Sequence, residues 1–186
     1  YYPMDKDALQ SYHYFMRKNL FEHTDINPAN YHLPDGMIAK DKVKEHCLDY
    51  EKQIEAAGGL DLQILGIGNN GHIGFNEPGS WLSSRTRLVK LDHITRVDAT
   101  KDFGKEENVP YRAITMGIQT IMKAKQIFIM AWGSHKAGIV RDAIEGEIYE
   151  DTCFYYCVTA RGESKVVSSF TINPTMRVVT EDGELI

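Results

Sequence analysis

From Asp7 to about His23 the apolar residues Leu9, Tyr12, Met16 and Leu20 recur at intervals of three and four, which predicts an amphipathic helix with Asp5 or Asp7 as its N-cap. Asn27-Pro28 and Pro34-Asp35-Gly36 punctuate a loop. Val43, Cys47, Tyr50 and Ile54 then mark a second amphipathic helix, ended by Gly58-Gly59. The segment Asp61 to Leu65 has the character of a buried strand, and Arg87 to Leu91 predicts a short one. Asp98 to Val109 is polar and predicts a loop with little structure of its own. Ala113 to Lys123 fits a helix or a strand-turn-helix crossing. Gln126 to Trp132 is continuously apolar, as a strand buried on both faces would be, and Gly133-Ser134 opens a helix through Ile139, Ala143 and Ile144. Val178-Val179-Thr180 predicts a last strand. This alternation argues for an α/β domain with a mostly parallel sheet, whose sites lie beyond the carboxyl ends of the strands.

Composition narrows the class of protein without naming a function. The 186 residues are 42% hydrophobic and 25% charged, enough to build one globular domain over 1–186, and neither an internal repeat nor a low-complexity linker interrupts them. A formal net charge of -5 argues against a nucleic-acid or membrane-surface partner, so an anionic ligand would need a few local cations. No apolar run approaches the ~18 residues of a membrane-spanning helix. Cys47, Cys153 and Cys157 read as reduced thiols of a cytoplasmic protein, and no second pair with ligand spacing supports a metal site.

The chemistry concentrates in Gly66-Ile67-Gly68-Asn69-Asn70-Gly71-His72-Ile73-Gly74-Phe75-Asn76-Glu77-Pro78-Gly79-Ser80. Four glycines within Gly66 to Gly74 let the chain turn tightly and bring backbone N–H groups near a ligand. His72 and Glu77 share that frame, and an imidazole beside a carboxylate moves protons near neutral pH. Residue chemistry alone leaves two readings, an active-site loop or a Gly-rich turn with a surface histidine. The G-x-G-x-x-G spacing lacks a convincing ribose-binding acid. Lys136, just past the Gly133 turn, has the placement of a phosphate-binding lysine. The other histidines, His13, His23, His32, His46, His93 and His135, read as surface or helix-face residues.

The loop resembles the signature of the glucosamine-6-phosphate deaminase family. The resemblance extends through Ser11-Tyr12-His13-Tyr14-Phe15-Met16, Ser84-Arg85-Thr86-Arg87, Tyr111 to Ile121, and Gly133-Ser134-His135-Lys136-Ala137, all in family order, and covers Tyr1 to about Gly146. It implies a Rossmann-like three-layer α/β sandwich and a cofactor-free isomerisation and deamination of glucosamine 6-phosphate to fructose 6-phosphate and ammonia. It also implies a small sugar phosphate as partner, and a monomer or symmetric homo-oligomer.

By resemblance, His72 shuttles the ring-opening proton while Glu77 and Asn70 orient and tune it, and Gly68 and Gly71 approach the substrate. Lys136 and Lys101 hold its phosphate. Many members carry aspartate at the position of Asn70; an asparagine orients the imidazole but holds no charge, so slower ring opening is expected. Lys101 stands where members usually have arginine, which costs bidentate geometry. Arg87 falls where some members bind an allosteric phosphosugar, or it is a plain surface arginine.

Tyr1-Tyr2-Pro3 resembles the segment that directly follows the family's Met-Asp-Glu triplet. The resemblance therefore implies a domain incomplete at its N-terminus, without the enolisation aspartate and the Thr-Gly-Gly-Thr phosphate turn. Cys153 to Lys165 reads as diverged sequence, and Ser168-Ser169-Phe170 and Asn173-Pro174 as remnants of a family segment. Two alternatives stay open: a hydrolase like 6-phosphogluconolactonase, which Asn76-Glu77-Pro78 argues against, and a phosphosugar-binding module without turnover.

Overall fold

The computed structural model describes residues 1–145 and 177–179. Three parallel strands form the main sheet: β1 (Leu62–Gly66), β4 (Gln126–Met130) and β5 (Arg177–Val179), in the order β1-β4-β5. Leu62 lies opposite Gln126 and Gly66 opposite Met130, so the two strands end at the same edge. A second, antiparallel pair joins β2 (Arg87–Lys90) to β3 (Arg112–Thr115), and Tyr2 bridges to Arg112 beside it. The helices are α1 (Tyr12–Asn19), α2 (Val43–Ala56), α3 (His93–Asp98), α4 (Thr100–Phe103), α5 (Ile118–Met122) and α6 (Ala137–Glu145).

The core explains this arrangement. Ile127 and Ile129 alternate onto one face of β4 and pack with Leu65 and Ile67 against Ile118 and Ile121 of α5 and Ala143 of α6. A smaller cluster seats Val43 and Cys47 of α2 against Leu88 and Ile114 of the antiparallel pair. Cys47 is a buried free thiol whose pKa is raised by burial and by the neighbouring Glu51. The architecture is the expected Rossmann-like α/β fold with a parallel main sheet. Among the described residues no helix is long and apolar enough to cross a membrane.

Several elements differ from the sequence expectation. The first helix begins at Tyr12, because the Ser11 hydroxyl accepts the Tyr14 N–H at 3.0 Å. Asp5 instead accepts the N–H of Asp7 at 2.8 Å, a local turn that competes with helix, and Asp7 pairs with Arg17. The predicted stripe is not a core face, since Leu9, Tyr12 and Leu20 are exposed. Neither main strand is buried on both faces. Leu62 and Ile64 of β1 are 44% and 52% exposed, and Phe128 and Met130 of β4 are only partly buried, because α5 and α6 cover the opposite face.

The polar stretch from Asp98 is structured rather than loop-like. Helix α3 ends there, α4 follows, and Glu106–Asn108 form a single 3-10 turn. Its order comes from tertiary contacts that no short periodicity reveals: Ala99 and Val109 are buried, and Arg96 pairs with Glu106 at 3.1 Å beneath the ring of Tyr111. Ala113 to Lys123 resolves as strand, turn and helix. The readings placed on Cys153, Cys157, Cys153 to Lys165, Ser168 to Phe170 and Asn173-Pro174 lie outside the described residues.

Candidate active site

Because β1 and β4 run parallel as neighbours, the loops after Gly66 and Met130 emerge side by side, where open α/β sheets place ligands. A cavity of about 600 Å³ lies there, lined by Gly68, Asn69, His72, Thr95, Lys101 and Lys136 among others. The structure thus brings together four of the residues singled out in the sequence. Lys136, in a single 3-10 turn after Gly133, donates to the Asn69 side-chain oxygen at 2.7 Å and so ties the second loop to the first.

The Gly-rich loop is shaped for its histidine. Gly71 adopts φ +84° and donates its N–H to the Gly68 carbonyl, while the Gly68 N–H closes onto the carbonyl of His72 at 2.9 Å. A Cβ at Gly68 would overlap the His72 imidazole, so this glycine is the seat on which the ring rests. Gly71 serves the turn and is not among the residues that line the cavity. Beyond the ring, Ile73 and Asn76 are fully buried, and Asn76 donates to the carbonyls of Ile73 and Met116. Arg87 grips the far side through Asn76 Oδ1 at 2.8 Å and Ser80 Oγ at 3.1 Å, and Ser80 in turn bonds the Glu77 carbonyl. The Arg87 guanidinium therefore holds the loop around Glu77 and does not line the cavity.

Behind the imidazole is a closed polar network. His72 Nδ1 lies 2.7 Å from Asn70 Oδ1 and 3.1 Å from Thr95 Oγ1. Asn70 Nδ2 and the Thr95 hydroxyl both donate to Glu77 Oε2 at 3.0 Å, and the Asp92 N–H donates to Glu77 Oε1 at 3.0 Å. Asn70 spends its N–H on the carboxylate and Thr95 spends its only proton there, so both present oxygen acceptors to the ring. Nδ1 must then carry the proton, which leaves Nε2 as the basic nitrogen for a ligand. His72 Nδ1 and Glu77 Oε2 stand 3.6 Å apart. Burial lowers the His72 pKa, opposed by Glu77 and reinforced by Lys136, while Asp98 and Asp92 also oppose it. Burial lowers the Lys136 pKa as well, with Asp98 opposing and Lys101 reinforcing.

Sequence reasoning missed Thr95, Asp92, Asn69 and Asp98. Asn69 links Lys136 to Asp98, donating to that carboxylate at 2.7 Å. Asn69 lay within the motif, but nothing local distinguished Thr95 from any helix threonine. His13, His32 and His135, read as surface or helix-face residues, line the cavity. Among the described residues no group of three or more His, Cys, Asp or Glu side chains could hold a metal ion.

Known proteins resemble this chain in sequence and in fold. A family model described as glucosamine-6-phosphate isomerases/6-phosphogluconolactonase matches residues 3–163. A glucosamine-6-phosphate deaminase of Oceanobacillus iheyensis is 48% identical over 151 residues, 81% of this chain and 60% of that protein. One from Thermoanaerobacter sp. is 50% identical over 149 residues, 80% of this chain and 58% of its own length. This chain therefore spans about 60% of the length of such curated relatives. Among solved structures, a monomeric glucosamine-6-phosphate deaminase superposes with a TM-score of 0.81 at 36% identity, over 98% of this chain and 70% of that one. A 6-phosphogluconolactonase from Thermotoga maritima, at TM-score 0.65 and 20% identity over 97% of this chain and 69% of its own, shares the fold. With the family model matching most of the chain and the loop it matches forming the mouth of the cavity, the protein belongs to the glucosamine-6-phosphate isomerase/6-phosphogluconolactonase family.

Proposed function

We propose that this protein acts in the conversion of glucosamine 6-phosphate and water to fructose 6-phosphate and ammonia, and that the described residues carry its ring-opening step. The observation that supports this reading is the His72–Asn70–Glu77–Thr95 network at a cavity that also holds two lysines. In the proposed step His72 Nε2 removes the proton of the sugar O1 hydroxyl and returns a proton to the ring oxygen as the C1–O5 bond breaks. The open-chain aldehyde results. Transfer of the C2 proton to C1 needs a second base, and water then hydrolyses the resulting imine to release ammonia. Lys136 and Lys101 hold the phosphate by charge against a chain of net charge -5. A phosphorylated sugar does not cross a membrane unaided, so the proposal places the protein in the cytoplasm.

The test is incubation of the purified full-length protein with glucosamine 6-phosphate, following ammonia and fructose 6-phosphate. Both should appear in equal amounts, and His72→Gln should remove both. A folded protein that binds the sugar and releases no ammonia would overturn the assignment in favour of a binding module; turnover of a 6-phosphogluconolactone instead would move it to hydrolysis.

A further inference from the structure

The network behind His72 has an asymmetry that involves Thr95. Asn70 and Thr95 both bridge His72 Nδ1 to Glu77 Oε2, yet they differ chemically. An amide can orient both groups but cannot accept a proton on one side and release one on the other at ordinary pH. A hydroxyl can. Thr95 is 4% exposed, its side chain is β-branched, and it sits on α3 below the Asp92 cap, so its oxygen is held in one place. Its hydrogen bonds are 3.1 Å to Nδ1 and 3.0 Å to Oε2, the latter with the hydroxyl as donor. The direct gap from Nδ1 to Oε2 is 3.6 Å, too long for a good hydrogen bond.

We infer that Thr95 is a positioning residue whose hydroxyl connects His72 to Glu77 for proton transfer, the role that Asn70 cannot fill. The inference rests on the ring-opening reading above. As Nε2 forms its N–H bond with the sugar proton, the Nδ1–H bond breaks toward Thr95 Oγ1, and the Thr95 O–H bond breaks toward Glu77 Oε2. The products are a neutral imidazole protonated on Nε2, an intact hydroxyl and a neutral carboxylic acid. Every proton is accounted for and no outside reagent is needed. Protonating the ring oxygen runs the same three transfers backwards, which restores the starting state. The site thereby avoids an imidazolium in a buried position, where charge is costly.

Two experiments decide the inference, and the first is independent of turnover. Nitrogen-15 NMR of His72 in the unliganded protein should show Nδ1 protonated and Nε2 bare at neutral pH; the opposite tautomer would overturn the relay and leave the proposed function standing. In steady-state kinetics with glucosamine 6-phosphate, Thr95→Val should lower kcat by roughly tenfold or more with KM within about twofold. Thr95→Ser keeps the hydroxyl and should recover most of the loss. In an Asn70→Asp background, where a carboxylate meets Nδ1 directly, the Thr95→Val penalty should shrink. Equal losses in Thr95→Ser and Thr95→Val, or an unchanged kcat in Thr95→Val, would reduce Thr95 to a packing residue. If the unaltered protein releases no ammonia the proposed function falls and takes the relay with it, whereas the opposite tautomer or an unchanged kcat in Thr95→Val overturns the relay alone.

Discussion

Gly68 and His72 form a pair in which one residue is small so that the other can be placed. The imidazole occupies the space a Cβ would need, and its Nδ1 is bound on the far side by Asn70 and Thr95. Gly68→Ala should therefore displace the ring while leaving the fold intact. A shift of about 1 Å in a catalytic group can cost on the order of 10²-fold in rate, so kcat should fall by about that much with little change in melting temperature. Burial also determines the pH at which His72 works. Its folded pKa lies below the ordinary value of about 6.5, and in the proposed ring-opening step the neutral ring is the base. Activity should persist as pH drops through 6.5 and be lost only as pH falls through the lower folded value; a pH profile of kcat/KM whose acid limb lies at or above 6.5 would contradict this. Stability follows the same sign. The unfolded chain takes up the proton first, so this contribution is complete above about 6.5 and shrinks as pH falls toward the folded pKa.

At the scale of elements, α3 organises the site more than its six residues suggest. Its cap residue Asp92 offers a backbone N–H to Glu77, Thr95 one turn later joins Glu77 to His72, and Asp98 a further turn on holds Asn69, which holds Lys136. Residues three apart share a helix face, so one face touches the His72–Glu77 pair and, through Asn69, reaches Lys136. A second tie anchors the segment after the loop. Glu51 of α2, nearly fully buried, accepts from the Thr86 N–H and hydroxyl, the Thr120 hydroxyl and the Arg85 guanidinium. Burial alone would raise its pKa, but these donors outweigh it and hold the carboxyl below its ordinary range. Glu51→Gln should cost about 2–4 kcal/mol, since it leaves buried donors facing an amide and Arg85 short of a partner. That corresponds to a fall of about 5–15 °C in melting temperature near neutral pH. The carboxylate's contribution is present above its unfolded pKa near 4.3 and is lost as pH falls from there toward the folded value. The gap between the native and Glu51→Gln melting temperatures should therefore narrow in acid.

Over the whole molecule, the parallel ends of β1 and β4 bring Lys136 beside His72, and α4 adds Lys101 to the same cavity, in a chain whose net charge is -5. A ligand that binds only the folded state stabilises it by mass action, about 2.7 kcal/mol at a hundredfold excess over Kd. Glucosamine 6-phosphate should raise the melting temperature accordingly. Lys136, partly desolvated and held by Asn69, should contribute most, so Lys136→Met should weaken binding by about 10- to 100-fold. Lys101 is exposed, and Lys101→Met should cost only a few-fold. Calorimetry on the two variants checks the order; equal losses would mean that Lys101 shares the phosphate fully.

Much of this was legible before any coordinates. Glycine spacing, the His72 and Glu77 positions and two apolar strands each followed by a glycine turn are local properties of the chain; local chemistry suffices to predict a strand and a bend, while the reading of His72 as a proton carrier comes from the family resemblance. The start of α1 at Ser11 and the order of Asp98 to Val109 were not legible, because the first turns on which side chain wins a backbone N–H and the second on contacts with Tyr111 and buried Ala99 and Val109. The sequence by itself determined which groups could react. Only the tertiary structure decided that Thr95, 23 residues from His72, completes the network, that Arg87 grips the loop, and that Lys136 meets Asn69 across 67 residues. Those meetings follow from strand pairing and helix packing, and residues far apart in the chain carry no local mark of which neighbour the fold will bring them.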